Sequence, residues 1–204
     1  MSETSPKPYL TIDEYLRSEE HSKVRREYVD GHVFAMSGST DAHNVICVNM
    51  VAKLHAHLRG TGCRVYSNDM KVHVKAANSF YYPDIMVTCE PFAAKSVFKF
   101  SPVLIVEILS PSTRQIDRRE KLVAYRKLES LQEYVVVHQH KALLEVYCKV
   151  AGNQWQVKEL RRSDELSLQS LPRPPLRFLV DEIYESVDLP LVVEEETEEY
   201  ELAT

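Results

Sequence analysis

Two carboxylates stand where an apolar strand should hold none. Tyr81–Cys89 is β-branched and aromatic with Asp84 inside it, and Val103–Leu109 is almost wholly aliphatic with Glu107 inside it. A lone carboxylate in a buried strand is costly, or shifts its pKa, unless it is paired or holds a cation. Side chains alternate faces along a strand, so Asp84 is expected beside Tyr82 and Met86, and Glu107 beside Ile105 and Leu109. If the two strands are neighbours, their backbones lie roughly 4.8 Å apart and both acids can share one divalent cation through hard oxygen ligands. One such acid alone is more readily the partner of an Arg or Lys, or a strand-end residue. Two in consecutive strands, with Pro83 leading into Asp84, point to a shared metal.

The Ser110-Pro111-Ser112-Thr113 turn then leads into a basic helical pattern, Ser112–Lys127. Ser112 with Gln115 fits a capping box, and free amide groups at such a helix start could face an anion. Asp117, Lys121 and Tyr125 fall at i, i+4 and i+8, one stripe of the helix. The plain reading of that stripe is an acid–lysine pair.

Pro83-Asp84 followed by Glu107 at the end of an apolar strand resembles the PD-(D/E)XK nuclease superfamily. The string VLIVEILSPST followed by Asp117, Lys121 and Tyr125 is similar to a more specific group, a bacterial family of restriction endonuclease-like domains. EYVDGHVFAMSGSTDAH at Glu27–His43 and EYVVVHQHKALLEVY at Glu133–Tyr147 match it too, so the resemblance covers roughly residues 9–189. It implies an α/β fold, a restriction-endonuclease-like mixed central β-sheet flanked by helices. It also implies a DNA endonuclease that hydrolyses phosphodiester bonds with Mg²⁺ or Mn²⁺. Asp84 and Glu107 would hold the metal with the backbone carbonyl of Ile108.

The superfamily lysine, two residues after the Glu, is replaced here by Leu109. The resemblance points to Lys121 as a migrated lysine that orients or activates the attacking water. It would also bring Glu27 to the edge of the site; read by itself, Glu27 is an exposed strand-start acid beside Lys23, Arg25 and Arg26. His43 lies in a first helical turn where the family also has a His. His43 and Arg118 are candidate substrate contacts, although a first-turn His on its own is more often a surface or capping residue. The alternative from another class is a nucleic-acid-binding or protein-interaction module on the same fold without turnover, which Leu109 favours.

The positioning elements follow from local pattern. Thr11 with Glu14 makes a capping box for a helix over Thr11–Glu20. Arg26–Met36 reads as a hairpin turning at Asp30-Gly31. Asp41–Arg59 reads as a helix capped by Thr40 or Asp41, with Val45, Val48, Val51, Ala52 and Leu58 as its apolar face. Strands are expected over Cys63–Ser67, Met70–Val74, Asn78–Cys89, Pro102–Leu109, Glu133–His138, Leu143–Lys149 and Gln154–Leu160, with a closing helix over Leu179–Ser186. Pro83 inside its strand suggests an edge position or a bulge. Lys71 reads as a solvated lysine, and HQHK at His138–Lys141 as a hairpin turn.

With 204 residues, one domain is expected. Its limits are 9–189, after a flexible N-terminus at 1–8 and before an acidic, disordered tail at 190–204. No apolar run approaches about 18 residues, so no membrane span is expected, and the start lacks a secretory signal, which suggests a cytoplasmic protein. Cys47, Cys63, Cys89 and Cys148 form no CxxC pair and read as free thiols. The net charge is −5, with 25 basic and 30 acidic residues, but seven of those acids lie in 188–204. Without them the balance is 25 to 23, a net of +2, which suits weak non-specific binding to DNA. Cutting both strands calls for two active sites, so a symmetric homodimer is the expectation.

Overall fold

The computed structural model describes residues 9–36, 38–109, 120–172 and 174–189. Within them the chain builds two sheets and a small hairpin. One sheet has the order β2-β1-β5-β4-β7, formed by β1 (Arg26–Val29), β2 (His32–Ala35), β4 (Lys71–Val74), β5 (Ser79–Tyr81) and β7 (Phe98–Lys99). The other has the order β11-β10-β9-β8-β6-β3, formed by β3 (Arg64–Ser67), β6 (Ile85–Thr88), β8 (Pro102–Leu109), β9 (Glu133–His138), β10 (Leu143–Lys149) and β11 (Trp155–Arg161). In it β8 and β9 run parallel while β6 and β8 run antiparallel. β12 (Glu165–Leu168) and β13 (Leu176–Leu179) pair as a hairpin that the sequence reading did not contain.

Helix α2 (Asp41–Leu58) covers one face of the six-stranded sheet. Its Ile46, Met50, Leu54 and Leu58 pack on Ile85, Val87, Val106, Ile108, Val135 and Val137. The buried stripe is not the expected one, for Val48 is 65% exposed. Met50 and Leu54, larger than the valines, set which side of the helix turns inward. On the other face Met86, Ile105, Leu109, Tyr134 and Val136 meet Val72, Val74 and Tyr81 of the five-stranded sheet. Helix α3 (Leu122–Tyr125) adds Ala124 and Tyr125 to that cluster. Helix α1 (Ile12–Glu19) closes the outside of the five-stranded sheet with Tyr15 against Tyr28 and Phe80. The mixed α/β class with helices on the sheets is the expected one.

The capping box of α1 forms between Thr11 and Glu14. The β1–β2 turn has φ of +43° at Asp30 and +88° at Gly31, and a Cβ on Gly31 would fall inside the Tyr9 ring, so the turn needs its glycine.

The structure corrects several expectations. Asn78–Cys89 is not one strand but β5 and β6, members of different sheets, with Tyr82-Pro83-Asp84 crossing between them. Pro83 has no N–H to give a ladder, so the chain leaves one sheet there and enters the other. The irregularity between β6 and β8 falls at Val87/Thr88 instead. Cys63 and Cys89 form a disulfide rather than staying free, because β3 and β6 run antiparallel and continue their register, from Arg64↔Thr88, into that pair. Cys47 and Cys148 are free. The closing helix is a single short turn, Val180–Glu182. Lys71 is buried and donates to the Tyr82 hydroxyl at 3.0 Å, and burial lowers its pKa. Of the Ser112–Lys127 helix only the part from residue 120 is described; segments 1–8 and 190–204, Asp117 and Arg118 lie outside the described residues.

Candidate active site

Lys121 is the centre of the arrangement. Its Nζ lies 2.9 Å from Glu27 Oε1 and 3.3 Å from Glu107 Oε1. All three side chains are nearly closed to solvent, at 5% for Lys121, 11% for Glu27 and 3% for Glu107. Glu27 comes from β1 in one sheet and Glu107 from β8 in the other, so the ammonium joins the two layers. Glu27 Oε1 also accepts the Tyr82 amide at 3.1 Å, which ties it to the crossover. The reading of Glu27 as an exposed acid beside Lys23, Arg25 and Arg26 therefore fails: β1 carries it inward with Tyr28 beside it in the buried part of the strand.

Glu107 is held from a second direction. The Tyr125 hydroxyl donates to Glu107 Oε1 at 2.8 Å. Burial, and then the Glu107 and Glu27 charges, push the Tyr125 pKa well above its ordinary value. The phenol therefore stays protonated and remains a donor. Leu109, in the usual lysine slot, is 3% exposed and belongs to the apolar cluster under α3. Lys121 reaches Glu107 with its Nζ 5.8 Å from the centre of the Tyr81 ring, a member of the same cluster.

Asp84 sits at the end of the crossover. Its Oδ2 accepts the Ile108 amide at 2.7 Å, and its Oδ1 lies 3.1 Å from His43 Nε2. The Asp84 carbonyl accepts the Asn68 amide at 3.1 Å. The β6–β8 register pairs Ile85 with Val106, and one step further sets Asp84 opposite Glu107. The two carboxylates nevertheless take different partners, Asp84 towards α2 and Glu107 towards α3. The expected alternation through Tyr82 and Met86 does not run through Asp84, because the chain is not a strand at Pro83. His43 is buried rather than on the surface, with its backbone amide capped by Thr40 Oγ at 3.2 Å.

The chain is similar over most of its length to known proteins. A profile of the Uma2 family, described as "Putative restriction endonuclease", matches residues 12–176. The chain belongs to the Uma2 family. Two Synechocystis proteins, both described as uncharacterized, are relatives: slr1290 at 36% identity over 90% of this chain and 95% of its own length, and sll1609 at 32% over 74% and 87%. A crystal structure from Anabaena variabilis, described as "a putative nuclease belonging to DUF820", superposes with a TM-score of 0.68. It covers 86% of this chain and 98% of its own, at 17% identity, and so speaks to the fold. The Uma2 match takes in Glu27, His43, Asp84, Glu107, Ile108 and Lys121.

Sequence reading missed the supports of these residues. The Tyr82 amide under Glu27 had no signal, since backbone donors have none. His138, the last residue of β9 as expected, pairs through Nε2 with Glu145 Oε1 at 3.0 Å, and Tyr147 donates to Glu145 Oε2 at 2.7 Å, contacts that no local pattern announced. Gln139, next to it, accepts the Thr40 hydroxyl at 2.6 Å. Among the described residues, no three His, Cys, Asp or Glu side chains form a ready metal-holding group. No helix of the described chain is long and apolar enough to cross a membrane.

Proposed function

We propose that this Uma2-family chain is an endonuclease that hydrolyses DNA phosphodiester bonds with Mg²⁺ or Mn²⁺. The observation that carries the reading is the buried Lys121 ammonium between Glu27 and Glu107, one strand away from Asp84. An ammonium enclosed this way has lost its water, and the acids around it are what keep it charged. The donor chemistry suits a hard divalent cation: carboxylate oxygens of Asp84 and Glu107 on neighbouring chain segments, and the carbonyl of Ile108, whose amide holds Asp84; to share one ion the two carboxylates would turn from their present partners, His43 and Lys121. Such a cation, when bound, lowers the pKa of a coordinated water and offsets phosphate charge.

The chain's own residues have separate tasks. Lys121 supplies a fixed positive charge for the phosphate oxygens as negative charge develops. Glu27 keeps that ammonium in place. Tyr125 holds Glu107 in one orientation by donating to it, and His43 does the same for Asp84. Arg118 is proposed as a substrate contact, as is His43 by its position beside Asp84. The proposed location is the cytoplasm, where reducing conditions would hold Cys63 and Cys89 as thiols, and a homodimer would place two sites for two-strand cleavage.

Calorimetric titration with Mn²⁺, followed by incubation of the loaded protein with supercoiled plasmid, tests the reading. Wild type should bind the ion and nick or cut the plasmid. Asp84→Asn should fold, lose most of the metal affinity and leave the plasmid intact. Binding of DNA without cleavage under Mg²⁺ and Mn²⁺ would instead favour the module without turnover, for which Leu109 in the lysine slot speaks.

A further inference from the structure

Asp84 is held at both oxygens, and one of the two holds can be followed outward. His43 Nε2 faces Asp84 Oδ1 at 3.1 Å. A carboxylate only accepts, so that ring nitrogen carries the proton. The His43 amide is capped by Thr40 Oγ, and the Thr40 hydroxyl donates its own proton to Gln139 Oε1 at 2.6 Å. Gln139 follows directly on β9, whose last residue, His138, is paired with Leu109 of β8. The path therefore returns to the strand that carries Glu107 and Ile108, and the Ile108 amide closes it on Asp84 Oδ2.

Gln139 is an odd residue for that place. It is 2% exposed, yet its Nε2 has no hydrogen-bond partner among the described residues, and neither has His43 Nδ1. A buried amide that leaves its NH₂ unpaired costs stability, and an apolar side chain of the same length would avoid that cost. Among the described residues only the Oε1 end has a partner, and what it holds is the N-cap of α2. The other polar ties of the 18-residue helix to the rest of the chain lie beyond its N-cap: His43 to Asp84 in its first turn, then Asn49 to the Ile183 and Glu185 carbonyls, Lys53 to Glu182 and His57 to the Pro172 carbonyl, so the Thr40–Gln139 bond is the one at the N-cap itself among the described residues.

We infer that Gln139 is a positioning residue, which through Thr40 fixes the first turn of α2 and so sets His43 and the orientation of the Asp84 carboxylate. The inference rests on the proposed role of Asp84 for its functional meaning, but its geometry can be tested without metal or DNA. The probe is the His43 Nε2 ring proton in the metal-free, full-length protein, observed by NMR. In wild type it should exchange slowly with water. Gln139→Met keeps the length and apolar stem and loses the acceptor; it should speed that exchange at least tenfold and lower Mn²⁺ affinity, with kcat for plasmid cleavage falling more than KM changes. Thr40→Ser keeps the hydroxyl and should behave like wild type, whereas Thr40→Val should behave like Gln139→Met. Should Gln139→Met fail to fold, the Thr40 pair carries the comparison. Unchanged ring-proton exchange in Gln139→Met, or an equal loss in Thr40→Ser and Thr40→Val, would overturn the inference. Faster exchange with unaltered Mn²⁺ affinity would leave the positioning in place and remove Asp84 from the metal site instead.

Discussion

At the scale of the residue, Lys121 decides most. Removing one member of a buried ion pair leaves charge without its partner and costs about 3 to 5 kcal/mol. Lys121→Met should therefore lose about 3 kcal/mol in urea denaturation. Mn²⁺ should restore part of that loss, because an ion bound only by the folded protein stabilises it by mass action. A loss below about 1 kcal/mol, the range of solvated surface pairs, would show that the pairs are loose. Plasmid cleavage by the same variant should fall at least tenfold, about 1.4 kcal/mol of barrier. Tyr125 gives a pH signature. Its folded pKa lies above the unfolded value of about 10. Below about pH 10 both states hold the proton and the contribution is complete; above it the unfolded chain ionises first, so stability falls as pH rises. Burial raises the pKa of Tyr15, Tyr82 and Tyr184 in the same direction. Tyr125→Phe should flatten, without abolishing, the fall in unfolding free energy between about pH 9 and 11. A fall as steep as in wild type would mean that Tyr125 ionises freely in the folded state. Asp84 and Glu107 stood out in the sequence because a charge inside an apolar run is conspicuous, whereas Lys121 came from the family resemblance. The burial of Glu27 was not legible from its neighbours, since three flanking basic residues say surface while the partner that buries it lies far along the chain.

At the scale of the element, local signals were reliable and long-range pairings were not. The capping box of α1, the Asp-Gly turn and the limits of β8, β9 and β10 came directly from residue pattern. The break at Pro83 was visible only as an oddity: the sequence shows that a proline interrupts the run but not that the chain changes sheets there. The disulfide was hidden for a related reason, since Cys63 and Cys89 become neighbours only when β3 finds β6. Their separation of 26 residues makes the bond worth about 3.5 kcal/mol in chain entropy. A reductant should lower the stability of wild type by roughly that amount and should leave Cys63→Ala/Cys89→Ala unaffected. Equal stability of the oxidised and reduced wild type would show that the bond does not restrict the unfolded chain.

At the scale of the whole molecule, the residues of the site do not belong to one layer. Glu27 rides on the five-stranded sheet, Glu107 on the six-stranded sheet, and the Tyr82-Pro83-Asp84 connection is where the chain passes from one to the other. This has a consequence for the order of folding. Trp155, the only tryptophan, lies on β11 against its hairpin partner β10, and such local pairing forms early. Closing Glu27, Lys121 and Glu107 together must await the docking of both layers, whose contacts span long stretches of chain and are slow to form. Refolding should therefore show tryptophan fluorescence recovering before Mn²⁺ binding returns; simultaneous recovery would mean that the sheets and the site assemble in one step. A ribosome-bound chain that ends before β8 holds Glu27 and Asp84 but neither Glu107 nor Lys121. On the proposed activity, a nascent chain that short lacks half of its site and cannot yet cut the DNA of its own cell.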